Sequence, residues 1–180
     1  MAYYPPSRRI VCLIEDSEHS AQVIQYYISK LMIPTDHIEL VQLLTVLESE
    51  TSAWFQGQES IDQTNEKHQT LFKHYIGLLQ DQGIPKESIT TKLLVSNGYS
   101  ARAMAFSFKG YVEFKRADLL VIGKDHRVHL PKKQCWLHRT LVNGVKRHVF
   151  RKVLDFGDFV ASQIDVPAVI MANPPRSMVN

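Results

Sequence analysis

The sequence has little of what would place a protein outside the cell or in a bilayer. It holds two cysteines among 180 residues, Cys12 and Cys135, too few for a disulfide framework. Cys12 lies inside the apolar run IVCLI, which predicts a buried thiol in a reducing compartment. The opening MAYYPPSRR has no apolar core of the kind a signal peptide needs. No run approaches the roughly 20 apolar residues of a membrane span. There is no internal repeat and no low-complexity tract. A cytoplasmic protein is expected, free or within a cytosol-exposed assembly such as the cytoskeleton or a cilium, with no membrane partner.

A second shortage is local. Residues 124–152 contain one acid, Asp125, against nine of the chain's 21 Lys and Arg and four of its eight His. The segment therefore carries +8 and the remainder of the chain −5. A solvated loop ordinarily mixes its signs, so this segregation predicts an acidic partner: phosphate, nucleic acid or an acidic protein surface.

What is present is a repeating alternation. With 44% hydrophobic residues the chain can bury one sizeable core. Apolar runs at 10–14, 37–46, 89–95, 118–123 and 166–172 read as strands. Between them, helical spacing places Ala21, Ile24, Tyr27, Ile28 and Leu31 on a first helix. Ile61, Leu71, Tyr75, Leu78 and Leu79 lie on a second, stopped by Gly83 and Pro85. Met104, Ala105, Phe108 and Val112 lie on a third, and Leu154, Phe156, Phe159 and Val160 on a fourth. The pattern predicts a three-layer α/β/α, Rossmann-like domain over residues 9–172 with a five-stranded, mostly parallel sheet. Tails are expected at 1–8 and 173–180, and a basic insertion at 124–150. Ligands of such sheets sit beyond the carboxyl ends of the strands, here Glu15-Asp16, Val46-Leu47, Ser96-Asn97 and Gly123.

Four stretches in this order resemble the universal stress proteins, α/β domains of which many members bind ATP or AMP. IVCLIEDSEHS resembles the family's opening strand, V-D-G-S turn and helix, and SNGYSARAM resembles its G-D-P-A turn. ADLLVIG resembles its A-D-L-I-V-M-G strand, and FVASQIDVPAVIMA its closing helix and strand. In the ATP-binding members a G-x2-G-x9-G-[S/T] motif follows the fourth strand. Its glycines admit backbone N–H groups to the phosphates, and its hydroxyl and helix N-terminus receive their charge.

Against that motif the chain departs. Gly123 matches the first glycine, but His126 stands where the second should be. Counting back from Pro167 places Leu154-Asp155 at the Gly-Ser pair, with nine residues between Gly144 and Leu154. Some 18 extra residues then lie between Gly123 and Gly144, residues 124–143 replacing the usual two. At the first strand Glu15 stands for the family's adenine-contacting Asp and Asp16 for its Gly. The resemblance thus implies a degenerate pocket of Glu15, Asp16, Val46, Gly123, Gly144, Leu154 and Asp155. Its added carboxylates repel a phosphate and its lost glycines crowd it. No cofactor is expected. ATP or AMP remains the ligand the resemblance implies if cationic side chains of the insertion close over the pocket.

The insertion admits other chemistry. His126, His129, Cys135 and His138 form two ligand pairs that could close a tetrahedral zinc site. Their five-residue connector is short and holds Pro131, so a His-rich surface without metal is expected. Basic residues interleaved with Trp136 and Phe150 suit phosphates and bases, but no nucleic-acid-binding module is recognisable. An acidic protein, tubulin-like or another assembly subunit, is the preferred partner. It would be met by Lys124, Arg127, Lys132, Lys133, Trp136, Arg139, Lys146, Arg147, Arg151 and Lys152. No acid–base pair or activated nucleophile assembles, so no enzyme is expected. His19 reads as a first-turn surface residue. The apolar edge Val166–Met171 is a candidate for homodimer pairing, as in the family, or for a partner protein.

Overall fold

The apolar runs pair into one sheet because each is long enough for a strand and segments of helical spacing separate them. The computed structural model describes residues 7–44, 58–96, 101–123, 156, 160, 163–164 and 166–171. The strands are β1 (Arg9–Leu13), β2 (His37–Leu44), β3 (Ile89–Val95), β4 (Leu119–Gly123) and β5 (Ala168–Met171). Their order is β3-β2-β1-β4-β5, and every neighbouring pair is parallel. Helices α1 (Glu18–Lys30), α2 (Gln58–Asp81) and α3 (Ala101–Lys115) supply the crossovers. Helical backbone at Phe156, Val160 and Gln163 falls where the fourth helix is expected.

Two cores sandwich the sheet, as the alternation of side chains along a strand requires. On one face Ile10, Cys12 and Ile14 meet Val23, Ile24 and Tyr27 of α1 and Phe72, Tyr75 and Leu79 of α2. On the other, Val11, Leu13, Leu120 and Ile122 meet Met104, Phe108 and Val112 of α3, with Phe156, Val160 and Ile164. The expected three-layer α/β/α architecture is thus the one observed. Val23, absent from the apolar face read by spacing, is buried, whereas Ala21 is only half-buried. Gly83 ends α2 as expected, in the left-handed region at φ 90°, where glycine has no steric penalty. Arg116 takes the equivalent place after α3 at φ 51°.

The turn before β2 is held by Asp36, whose side chain is fully buried. It accepts from Arg8 Nε and Nη2, both at 2.8 Å, from the Tyr27 hydroxyl at 2.6 Å and from the Ile33 N–H at 3.0 Å. Four donors satisfy a charge that burial would otherwise penalise heavily. Arg8, which the sequence places in the N-terminal tail, is thereby fixed to the domain. No helix among the described residues is long and apolar enough to cross a membrane.

The chain winds from β1 outward through β2 to β3, then crosses to β4 and β5 on the other side. The reversal lies between β1 and β4, and the carboxyl ends of those two strands define the crevice that such folds use for ligands.

Candidate functional site at the strand reversal

The β1 side of the crevice is a closed turn. Ile14 N–H donates to the Val41 carbonyl at 2.8 Å, carrying the sheet one residue past β1. Ser17 then caps α1, its hydroxyl oxygen accepting from the Ser20 N–H at 3.1 Å. The same hydroxyl donates to the Glu15 carboxylate at 2.9 Å. The Glu15 N–H donates to the Ser20 hydroxyl at 3.1 Å, and the Glu15 carbonyl accepts from the Tyr75 hydroxyl at 3.3 Å. Burial raises the Tyr75 phenol above its usual range; a hydrogen bond with Ser20 lowers it, and the Glu15 and Asp16 charges raise it further. The first turn of α1 thus already has a carboxylate of its own chain beside it, where an anionic ligand would otherwise go.

Across the reversal stands Gly123, the last residue of β4. A β-carbon at Gly123 would lie 2.7 Å from His19 Cδ2, 2.9 Å from His19 Nε2 and 3.6 Å from Val23 Cγ2. The glycine therefore lets the first turn of α1 approach the end of β4, and the imidazole fills the room that it leaves. Both nitrogens of His19 are buried and have no hydrogen-bond partner among the described residues. The reading of His19 as a surface residue is corrected: its ring turns inward against the strand end. Only a hint of this was in the sequence, since His19 and Val23 are four apart and share a helix face.

Beside the crevice, a cleft of about 900 Å³ runs between Asp16, Gln42 of β2 and the α2 residues Glu66, Lys67, His68, Thr70, Leu71 and His74. His68 Nδ1 is 2.9 Å from Gln42 Oε1, which fixes its ring to the sheet. The walls are amphoteric, with two carboxylates, one ammonium and two imidazoles. No group of three metal-ligating side chains occurs among the described residues. Sequence reasoning found Asp16 but missed His68 and His74, because their approach to β2 depends on how α2 packs.

Of the residues singled out in the sequence, Glu15 and Gly123 thus flank the reversal and Asp16 lines the neighbouring cleft. Val46, Gly144, Leu154 and Asp155 lie outside the described residues. So do the basic segment 124–152 and, within it, His126, His129, Cys135 and His138. β5 forms one edge of the sheet and β3 the other.

A universal stress protein solved in complex with cAMP superposes with a TM-score of 0.58 at 10% identity, over 93% of this chain and 98% of that one. UspA from Lactobacillus plantarum gives 0.58 at 9% identity over 92% and 97%. The universal stress protein from Archaeoglobus fulgidus gives 0.52 at 14% identity over 92% and 93%. No family model matches the sequence, and no curated protein matches it. The protein is an α/β domain of the doubly wound kind. More particularly, its fold is that of the universal stress proteins, as the four sequence stretches imply.

Proposed function

We propose that the chain is a non-catalytic interaction module. Its nucleotide crevice is degenerate, and its basic segment 124–152 docks on an acidic protein surface, tubulin-like or belonging to another subunit of an assembly. The observation that carries this reading is the use made of Gly123. The glycine that resembles the start of a phosphate motif faces α1 and accommodates His19 and Val23. Its presence is explained by helix–strand packing alone, with no phosphate required. Glu15, placed beside the α1 N-terminus and bonded to Ser17, adds negative charge to the same rim. With phosphate disfavoured there, the +8 of residues 124–152 is left for a partner. The β5 edge offers a second surface, for a copy of the chain or for a partner strand. The setting is the cytoplasm or a cytosol-exposed assembly.

The test removes residues 124–143 and compares the deleted and full-length chains for binding to tubulin, to a single-stranded RNA oligonucleotide and to ATP. The module reading expects salt-sensitive tubulin binding that the deletion abolishes while thermal unfolding stays cooperative. Preference for RNA, with a steep dependence on salt, would replace the protein partner by nucleic acid. Loss of ATP affinity on deletion would favour the second reading, an adenine-nucleotide-binding protein with a rearranged loop. That second reading has one observation behind it, the cAMP bound to a protein of the same fold.

A further inference from the structure

We propose that His19 is an intramolecular plug, the side chain that closes the β1–β4 crevice to a nucleoside monophosphate. This deepens the degenerate-crevice reading and rests on it. Three observations meet at one ring. It abuts the strand end at the topological reversal, within 3 Å of where a side chain on Gly123 would begin. Val23, one turn on along α1 and itself buried, also lies beside Gly123, 3.6 Å from where its β-carbon would be. The two nitrogens of the ring are buried without partners among the described residues, so no hydrogen bond within them accounts for its position.

A buried histidine normally spends at least one nitrogen on a hydrogen bond, because an unmet polar atom in a dry site is costly. Against the described residues the ring contributes shape instead. It fills the space beside a glycine whose lack of side chain would otherwise leave a slot at the crevice wall. The neighbouring polar groups are already committed to one another: Ser17 to Ser20 and Glu15, and Ser20 to Glu15. Removing the ring therefore opens the slot without dismantling the cap of α1, and alanine is well tolerated in a first helical turn.

The experiment titrates AMP, whose low charge makes least of the rim carboxylates, into the full-length chain and into His19→Ala and His19→Phe, by calorimetry and thermal shift. The plug predicts at least a ten-fold gain in AMP affinity for His19→Ala and none for His19→Phe, which refills the slot. Folded His19→Ala protein with no gain overturns the plug and leaves the module reading standing. Saturable AMP binding by the unaltered chain, equal to that of His19→Ala, overturns both. A second measurement needs no variant. Diethyl pyrocarbonate, read residue by residue by mass spectrometry, should modify His19 at least ten-fold more slowly than the exposed His37 and His74. Equal rates contradict a ring held in the wall.

Discussion

The hydroxyl of Tyr27 donates to Asp36 at 2.6 Å, linking the buried face of α1 to the turn that starts β2. Arg8 reaches the same carboxylate from the start of the chain, and its Nη2 also donates to the Leu31 carbonyl at 2.7 Å. Three segments distant in sequence therefore converge on one charge. Asp36→Ala leaves Arg8 without its carboxylate and the Tyr27 hydroxyl without its acceptor, and should cost about 3 kcal/mol in urea unfolding. Tyr27→Phe keeps the ring and removes one bond to a charged group, for about 1.5–2 kcal/mol. Equal losses for the two variants would show that the Tyr27 bond alone carries the effect of the carboxylate, with Arg8 and the Ile33 N–H adding nothing.

Alkaline pH should weaken the fold in two stages. Burial pushes the Cys12 thiol above its ordinary range, with the Asp36 charge adding to it. Burial, then hydrogen bonds to Asp36 and Glu39, does the same for the Tyr27 and Tyr111 phenols. The folded chain thus keeps protons that the unfolded chain gives up. Stability from these groups is full below the unfolded thiol value of about 8.5 and falls as pH rises beyond it. Cys12→Ala should delay the onset toward about pH 10, where unfolded tyrosines ionise. Urea midpoints between pH 7 and 11 measure both stages.

Arg116 ends α3 in a backbone conformation that suits glycine, at φ 51°. Arg116→Gly should raise stability by about 0.5–1 kcal/mol, the left-handed penalty removed less the added freedom of the unfolded chain. The carbonyl of Glu113 accepts from the N–H of residue 116 at 3.0 Å, a bond that glycine preserves. A fall in melting temperature would mean that the arginine side chain holds the turn.

His19→Leu removes two buried nitrogens that lack partners among the described residues, at nearly constant volume. It should be neutral or stabilising by up to about 1 kcal/mol, since an apolar group needs no hydrogen bond there. A loss of more than about 2 kcal/mol would show that the imidazole has a polar partner.

How much of this was legible in the sequence follows from the range of the forces involved. The strands β1 and β4 and the face of α3 declare themselves through local apolar spacing, which burial between two layers enforces. β3 is legible from its β-branched and apolar run, although most of its residues are exposed at the sheet edge. Gly83 is legible as a stop because its conformation is local. The inward turn of His19 is not, since a polar residue on an otherwise apolar helix face is ordinarily read as exposed. Only the distance between α1 and β4 reveals it. Asp36 is likewise silent, an unremarkable turn acid until Arg8 and Tyr27 arrive from elsewhere in the chain. At the candidate site the sequence supplies Glu15, Asp16 and Gly123 but not the use to which Gly123 is put.

If the crevice between β1 and β4 is degenerate, as proposed, the chain binds no nucleotide there. The most direct test is the melting temperature of the full-length, metal-free chain in rising ATP, ADP and AMP, with and without magnesium. A ligand that binds only the folded state must raise stability with the logarithm of its concentration above the dissociation constant. A degenerate crevice gives no shift at millimolar nucleotide. A saturable rise would contradict it and make the basic segment a clamp for phosphate.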